Sequence, residues 1–152
     1  TALRRKFFMS LDKIMAMIPH RPPMLLIDEI LQSTERSIVC QKTFRADEYF
    51  VQGHYPDFPL VPGVILLESC CQAGAVLVAQ MLQATAGDKV PVLTRVDNAK
   101  FKQMVRPGDS VTLEAEIVEV ISLAIYLKGK VKVNGKVSVT FDFACSLAPR
   151  SV

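Results

Sequence analysis

From position 64 to position 82 nearly every side chain is apolar, and the polar interruptions are Glu68, Ser69, Gln72 and Gln80. No proline breaks the run, which predicts a helix of about six turns. Apolar character on almost every face predicts that this helix is enclosed by a sheet or by a partner subunit. The segment before it behaves differently: Pro56, Pro59, Pro62 and Gly63 deny regular structure to the residues that lead from Gly53 to the helix start. Further upstream, Ser10 is placed to cap a short helix over 11–18 that Pro19 ends. Apolar runs at 24–31 and 38–44 read as strands.

After a turn at Ala86-Gly87-Asp88 the chain reads as successive strands, over 90–96, 99–105, 110–120, 124–133 and 136–147. In the third of these Val111, Leu113, Ala115 and Ile117 alternate with Thr112, Glu114 and Glu116, the period of a half-buried strand. Asn134-Gly135 predicts a two-residue hairpin, since both central positions must accept positive φ, and Pro107-Gly108-Asp109 makes another turn. A few strands, one long helix and an antiparallel meander predict an α+β domain, its antiparallel sheet wrapped around one long central helix. No repeat, linker or low-complexity tract divides the chain, so residues 1–152 read as a single domain.

Composition narrows the picture. A chain of 152 residues is long enough to bury roughly two-thirds of its unfolded surface without staples. Lys and Arg number 18 against 15 Asp and Glu, a formal charge of +3. That excess falls short of the strongly basic balance, with a pI above about 9, that marks many nucleic-acid binders, and no nucleic-acid partner is expected. The four cysteines, Cys40, Cys70, Cys71 and Cys145, have neither zinc-knuckle nor redox Cys-x-x-Cys spacing and read as reduced thiols packed as small hydrophobes. Arg4-Arg5-Lys6 before Phe7-Phe8-Met9 hints at an export signal, but Asp12 and Lys13 end the apolar run too early. Reduced thiols and no visible export signal predict a cytoplasmic protein. Glu68, Gln72 and Gln80 make a bilayer placement of 64–82 costly, so no membrane insertion is expected.

Two residues carry candidate chemistry. His54 offers an imidazole suited to accepting a proton near neutral pH, and Glu68 a carboxyl that can donate one from an apolar site. Their separation along the chain forces no contact: the loop folds His54 back over the helix start, or the two meet across a dimer interface. The helix dipole at Glu68 favours the anion, so desolvation by Ile65, Leu66 and Leu67 must win if the carboxyl is to stay protonated. Gln72, one turn beyond Glu68, shares its face. Gly63 stands where the helix begins, with an N–H free to donate to a developing oxyanion. His20, between Pro19 and Arg21, reads as a loop hydrogen-bonder. Two histidines and no cysteine cluster predict no metal site, and no phosphate loop, nucleophile elbow or nucleotide fingerprint appears.

These residues lie in longer motifs. Ile18-Pro19-His20-Arg21-Pro22-Pro23-Met24-Leu25-Leu26-Ile27-Asp28, Gly53-His54-Tyr55-Pro56, Pro62-Gly63-Val64, Glu68 to Gln72, Lys100-Phe101-Lys102 and Arg106-Pro107-Gly108-Asp109 are spread from residue 18 to residue 109. Together they resemble the 3-hydroxyacyl-acyl-carrier-protein dehydratases of bacterial type II fatty-acid synthesis, which are hot-dog-fold enzymes. The resemblance implies His54 as the catalytic histidine, Glu68 as the acid, Gly63 N–H on the thioester carbonyl, and no cofactor. It implies a homodimer whose sites take His54 from one chain and Glu68 from the other, with dimers joined as a trimer. Glutamate at position 68 resembles the branch that only dehydrates. The expected partner is an acyl carrier protein bearing a phosphopantetheine-linked acyl chain, met by a basic rim of Lys100, Lys102 and Arg106. Pro22, Glu29 and the pair Cys70-Cys71 depart from the family pattern and bear on acyl-chain preference and docking. A thioesterase on the same fold and a non-catalytic acyl-binding subunit are the rival expectations.

Overall fold

A computed structural model describes residues 11–82 and 88–150. The cap assigned to Ser10 and the turn residues Ala86 and Gly87 lie outside them. The elements run α1 (Leu11–Met17), β1 (Glu29–Ser33), β2 (Ser37–Thr43), α2 (Gly63–Met81), β3 (Lys89–Phe101), β4 (Ser110–Ile121), β5 (Ala124–Val133) and β6 (Lys136–Pro149). The six strands form one sheet in the order β1-β2-β4-β5-β6-β3, antiparallel at every pairing.

The sheet wraps α2 because both surfaces are apolar where they face each other. Leu66, Cys70, Ala73, Val76, Leu77 and Val78 of the helix are buried against Ile38, Cys40, Leu113, Ala115, Leu127, Val131 and Phe141. By length and composition α2 would also cross a membrane, with mean hydropathy 1.6, and half of that stretch is buried inside the protein. The alternation in β4 holds: Val111, Leu113, Ala115 and Ile117 are buried while Glu116 is exposed. Asn134 and Gly135 both take positive φ, +50° and +74°, and close the β5–β6 hairpin.

Two strands differ from expectation. The run over 24–31 becomes a strand only at Glu29, and residues 24–27 instead form a strap along α2, with Leu25, Leu26 and Ile27 buried. Helix side chains satisfy the strap's backbone: Leu26 N–H donates to Gln72 Oε1 (2.8 Å), Gln72 Nε2 donates to Met24 O (2.8 Å), and Ser69 Oγ donates to Leu26 O (2.6 Å). A buried backbone must find partners, and here the helix supplies them in place of a neighbouring strand. The strands expected over 90–96 and 99–105 are one strand, β3, which absorbs the break through register shifts between Leu93 and Arg95 and between Asp97 and Lys100. Asn98 sits in the second shift at φ +53°.

Candidate active site

The loop between β2 and α2 is held at both ends. Lys42 is buried, with Nζ 2.8 Å from Glu48 Oε1 and 3.7 Å from Asp28 Oδ1, and Glu48 Oε2 accepts the Arg45 N–H at 2.8 Å. A buried ammonium persists when it is paired in this way, and the pairing fixes where the loop leaves the sheet. Phe50 packs edge-on to Phe44, and at the far end Val61 N–H donates to Val105 O at 2.8 Å.

Within that frame the His54 ring is set by one contact. Its Nδ1 lies 3.0 Å from Leu60 O. A carbonyl oxygen only accepts, so the geometry assigns the proton to Nδ1 and leaves the lone pair on Nε2. The ring is therefore oriented through Nδ1, with Tyr55 tilted against it at 4.6 Å.

Glu68 stands on α2 and is also oriented. Gln72 Oε1 is taken by Leu26 N–H, so its amide nitrogen faces two acceptors, Met24 O and Glu68 Oε1, the latter at 3.0 Å. Since Oε1 already accepts from Gln72, a proton carried by the carboxyl sits on Oε2. Glu68 is not an isolated buried carboxylate: its side chain is 32% exposed in the single chain and has His20 Nε2 at 3.7 Å. His20, Glu68, Cys71, Gln72, Leu93 and Phe143 are among the walls of a small cavity of about 70 Å³.

Gly63 opens α2, so its N–H has no acceptor within the helix. The Phe101 ring closes over it: a Cβ at position 63 would stand 2.7 Å from Phe101 Cε1. A residue with a side chain would push this ring away from the helix start.

Within one chain these residues do not all line the cavity at Glu68. His54 and Gly63 are absent from the walls of the cavity that holds Glu68. The basic residues are also dispersed. Lys100 lines a groove of about 480 Å³ on the outer face of the sheet beside Lys128, Lys130, Glu114 and Glu116, whereas Arg106 lies over the Phe58 ring at 5.0 Å, next to the His54 loop. Lys102 is exposed, its N–H donating to Ser138 O. The residue that sequence reasoning undervalued is His20. Among the described residues its side chain makes no loop hydrogen bond; Nδ1 is buried without a partner there and Nε2 faces Glu68. The one signal in the sequence was the Pro-His-Arg motif that contains it.

An antiparallel sheet curled around one long helix is the hot-dog fold, and solved structures of that class superimpose on this chain. The dehydratase heterocomplex ApeI:P from Xenorhabdus doucetiae matches with a TM-score of 0.76 over 90% of this chain and 91% of that one, at 17% identity. A mutant of the thioesterase PA1618 from Pseudomonas aeruginosa matches with a TM-score of 0.69 over 93% and 95%, also at 17% identity. At that identity the likeness shows the fold alone. Sequence goes further. The model of the FabA-like domain matches residues 18–142. The FabZ 3-hydroxyacyl-[acyl-carrier-protein] dehydratase of Caulobacter vibrioides is 39% identical over 136 residues, 89% of this chain and 86% of the relative. Its counterpart in Clostridium perfringens is 36% identical over 130 residues, 86% and 92%. The chain belongs to the FabA-like family of 3-hydroxyacyl-acyl-carrier-protein dehydratases, which are hydro-lyases.

Proposed function

We propose that this protein dehydrates (3R)-3-hydroxyacyl thioesters carried by an acyl carrier protein to trans-2-enoyl thioesters, in the cytoplasm and in fatty-acid synthesis. His54 Nε2 takes the proton from the carbon next to the thioester, Gly63 N–H donates to the carbonyl oxygen as charge develops there, and Glu68 delivers a proton from Oε2 to the departing hydroxyl. The C–O bond breaks as the carbon–carbon double bond forms. Water leaves, the proton gained by His54 and the one lost by Glu68 are reset by exchange with solvent before the next turnover, and no cofactor enters the step.

The observation that carries this reading is the complementary state of the two groups. His54 has its ring proton engaged by Leu60 O and a lone pair free, while Glu68 has Oε1 engaged by Gln72 and Oε2 free. One is prepared to accept and the other to donate. Because the cavity at Glu68 does not include His54, the reading takes each site from a homodimer, His54 from one copy and Glu68 from the other, and we extend it to a trimer of such dimers. Leu93 and Pro91 of the edge strand β3 line the Glu68 cavity, which places that residue beside the sheet rim where a second copy would pair. Among the cations offered for carrier docking, Arg106 beside the His54 loop is the one best placed to meet an acidic carrier protein at the mouth of the site.

The fold by itself does not choose dehydration over hydrolysis, since thioesterases share it; the relatives that share sequence favour dehydration. Incubation with a 3-hydroxyacyl thioester on a carrier protein should give the absorbance of a conjugated enoyl thioester. Release of free thiol would mean hydrolysis, and no change would mean binding alone. Glu68→Gln and His54→Ala should each lower kcat by about two to four orders of magnitude, with the thermal unfolding midpoint little changed. An unaltered rate in either variant removes that residue from the mechanism.

A further inference from the structure

His20 lines the Glu68 cavity, and the proposed reaction gives its imidazole no work. Its Nε2 lies 3.7 Å from Glu68 Oε1, within ion-pair range and beyond hydrogen-bond length. Its Nδ1 is buried and has no partner among the described residues. The backbone of its loop is ordered: Arg21 folds back to donate to Ile18 O (2.9 Å) and His20 O (2.7 Å), and Met24 and Leu25 N–H both donate to Arg21 O. The strap that follows is tied to the helix by Gln72, the same side chain that holds Glu68. Loop, strap and carboxyl are thus parts of one hydrogen-bonded unit.

We infer that His20 is a positioning residue for the dehydration proposed above, acting as a second donor to Glu68 Oε1 from Nε2 and so directing the carboxyl's proton to Oε2, the oxygen that faces the departing hydroxyl. The argument is one of donor inventory. A neutral imidazole has one N–H and one bare nitrogen, and a buried N–H without an acceptor is the costlier of the two to leave unpaired. Nδ1 is the orphan, so the proton belongs on Nε2, facing a carboxyl oxygen. Closing the distance to hydrogen-bond length takes a shift of about 0.7 Å, within the ordinary excursion of a side chain. With Gln72 alone on Oε1, the carboxyl is free to swing about that single bond; two donors on one oxygen fix its plane. The inference rests on the dehydratase reading for its catalytic consequence, and its tautomer is open to test without it.

Only two histidines occur in the chain, His20 and His54. Nitrogen-15 NMR of the histidine-labelled protein, assigned with His54→Ala, should show opposite tautomers: Nε2–H at His20 and Nδ1–H at His54. An Nδ1–H tautomer at His20 overturns the inference whether or not the protein is active. In the enoyl assay, His20→Phe keeps a ring and removes the donor, and should lower kcat about ten- to a hundredfold with KM within twofold. His20→Gln places an amide N–H where Nε2 stood and should recover most of that loss. Equal losses in both variants, with a fall in the unfolding midpoint, would mark His20 as structural, and unchanged kcat in His20→Phe would show that Glu68 needs no second donor. Wild-type protein that releases thiol instead of forming enoyl product refutes the dehydratase reading and leaves the tautomer assignment standing.

Discussion

Burial raises every cysteine thiol in this chain. Cys40 and Cys70 are pushed up to about 12 and Cys145 up to about 11 by loss of solvent, and Cys71 rises for the same reason, with Cys70 and Glu68 adding like charge beside it. The sequence reading of these residues as packed small hydrophobes agrees. The unfolded chain loses these protons near 9, the ordinary thiol value, whereas the native chain keeps them to 11 or 12. Their contribution to stability is therefore complete below about pH 9 and is lost as pH rises through the folded values. Urea midpoints should fall between pH 8 and pH 10.5, and the fall should be shallower in Cys40→Val; equal slopes would show that this thiol does not couple to folding. His54, Glu68, Gly63 and Gln72 were legible as candidates because their chemistry is unusual in a loop and a helix otherwise full of apolar residues. The nearness of His20 to Glu68 was not, since it depends on a strap whose hydrogen bonds go to a distant helix.

Between elements, helix and sheet approach closely where glycines leave room for phenylalanine rings. A Cβ on Gly129 of β5 would stand 2.5 Å from Phe141 Cε1 and 3.1 Å from Cys70 Sγ, and one on Gly74 of α2 would stand 2.7 Å from Phe143 Cζ. Phe141 and Phe143 are buried, with ring centroids 5.0 Å apart in a stack. Gly129→Ala should therefore destabilise the protein by about 1–3 kcal/mol through overpacking, read from urea denaturation. A stability equal to wild type would mean that the rings repack without strain. The long helix, the β4 alternation and the Asn134-Gly135 hairpin were all evident from local pattern, because each is decided by residues within a few positions. The strap and the continuity of β3 were not: residues 24–27 have the composition of a strand, and only the presence of Gln72 and Ser69 opposite them decides where their backbone bonds go. In β3, Asp97 and Asn98 look like a strand end, yet a register shift carries the strand past them.

For the whole molecule, the sheet has a short edge, β1, and a long one, β3, with thirteen residues. Val92, Leu93, Val96 and Phe101 on β3 are between 39% and 55% exposed, an apolar rim with unpaired backbone groups. That rim is the surface on which the proposed homodimer would form. Val96→Asp puts a charge at its centre and should shift the protein toward monomer in sedimentation, with specific activity falling on dilution. An unchanged mass would place the dimer contact elsewhere. The kinks in β3 have a consequence of their own. Fibrils grow when straight, flat strands stack one upon another without end, and a strand bent at two places offers such an incoming chain no continuous template. The irregularities that disguised this strand in the sequence thus also make its edge a poor seed for endless stacking.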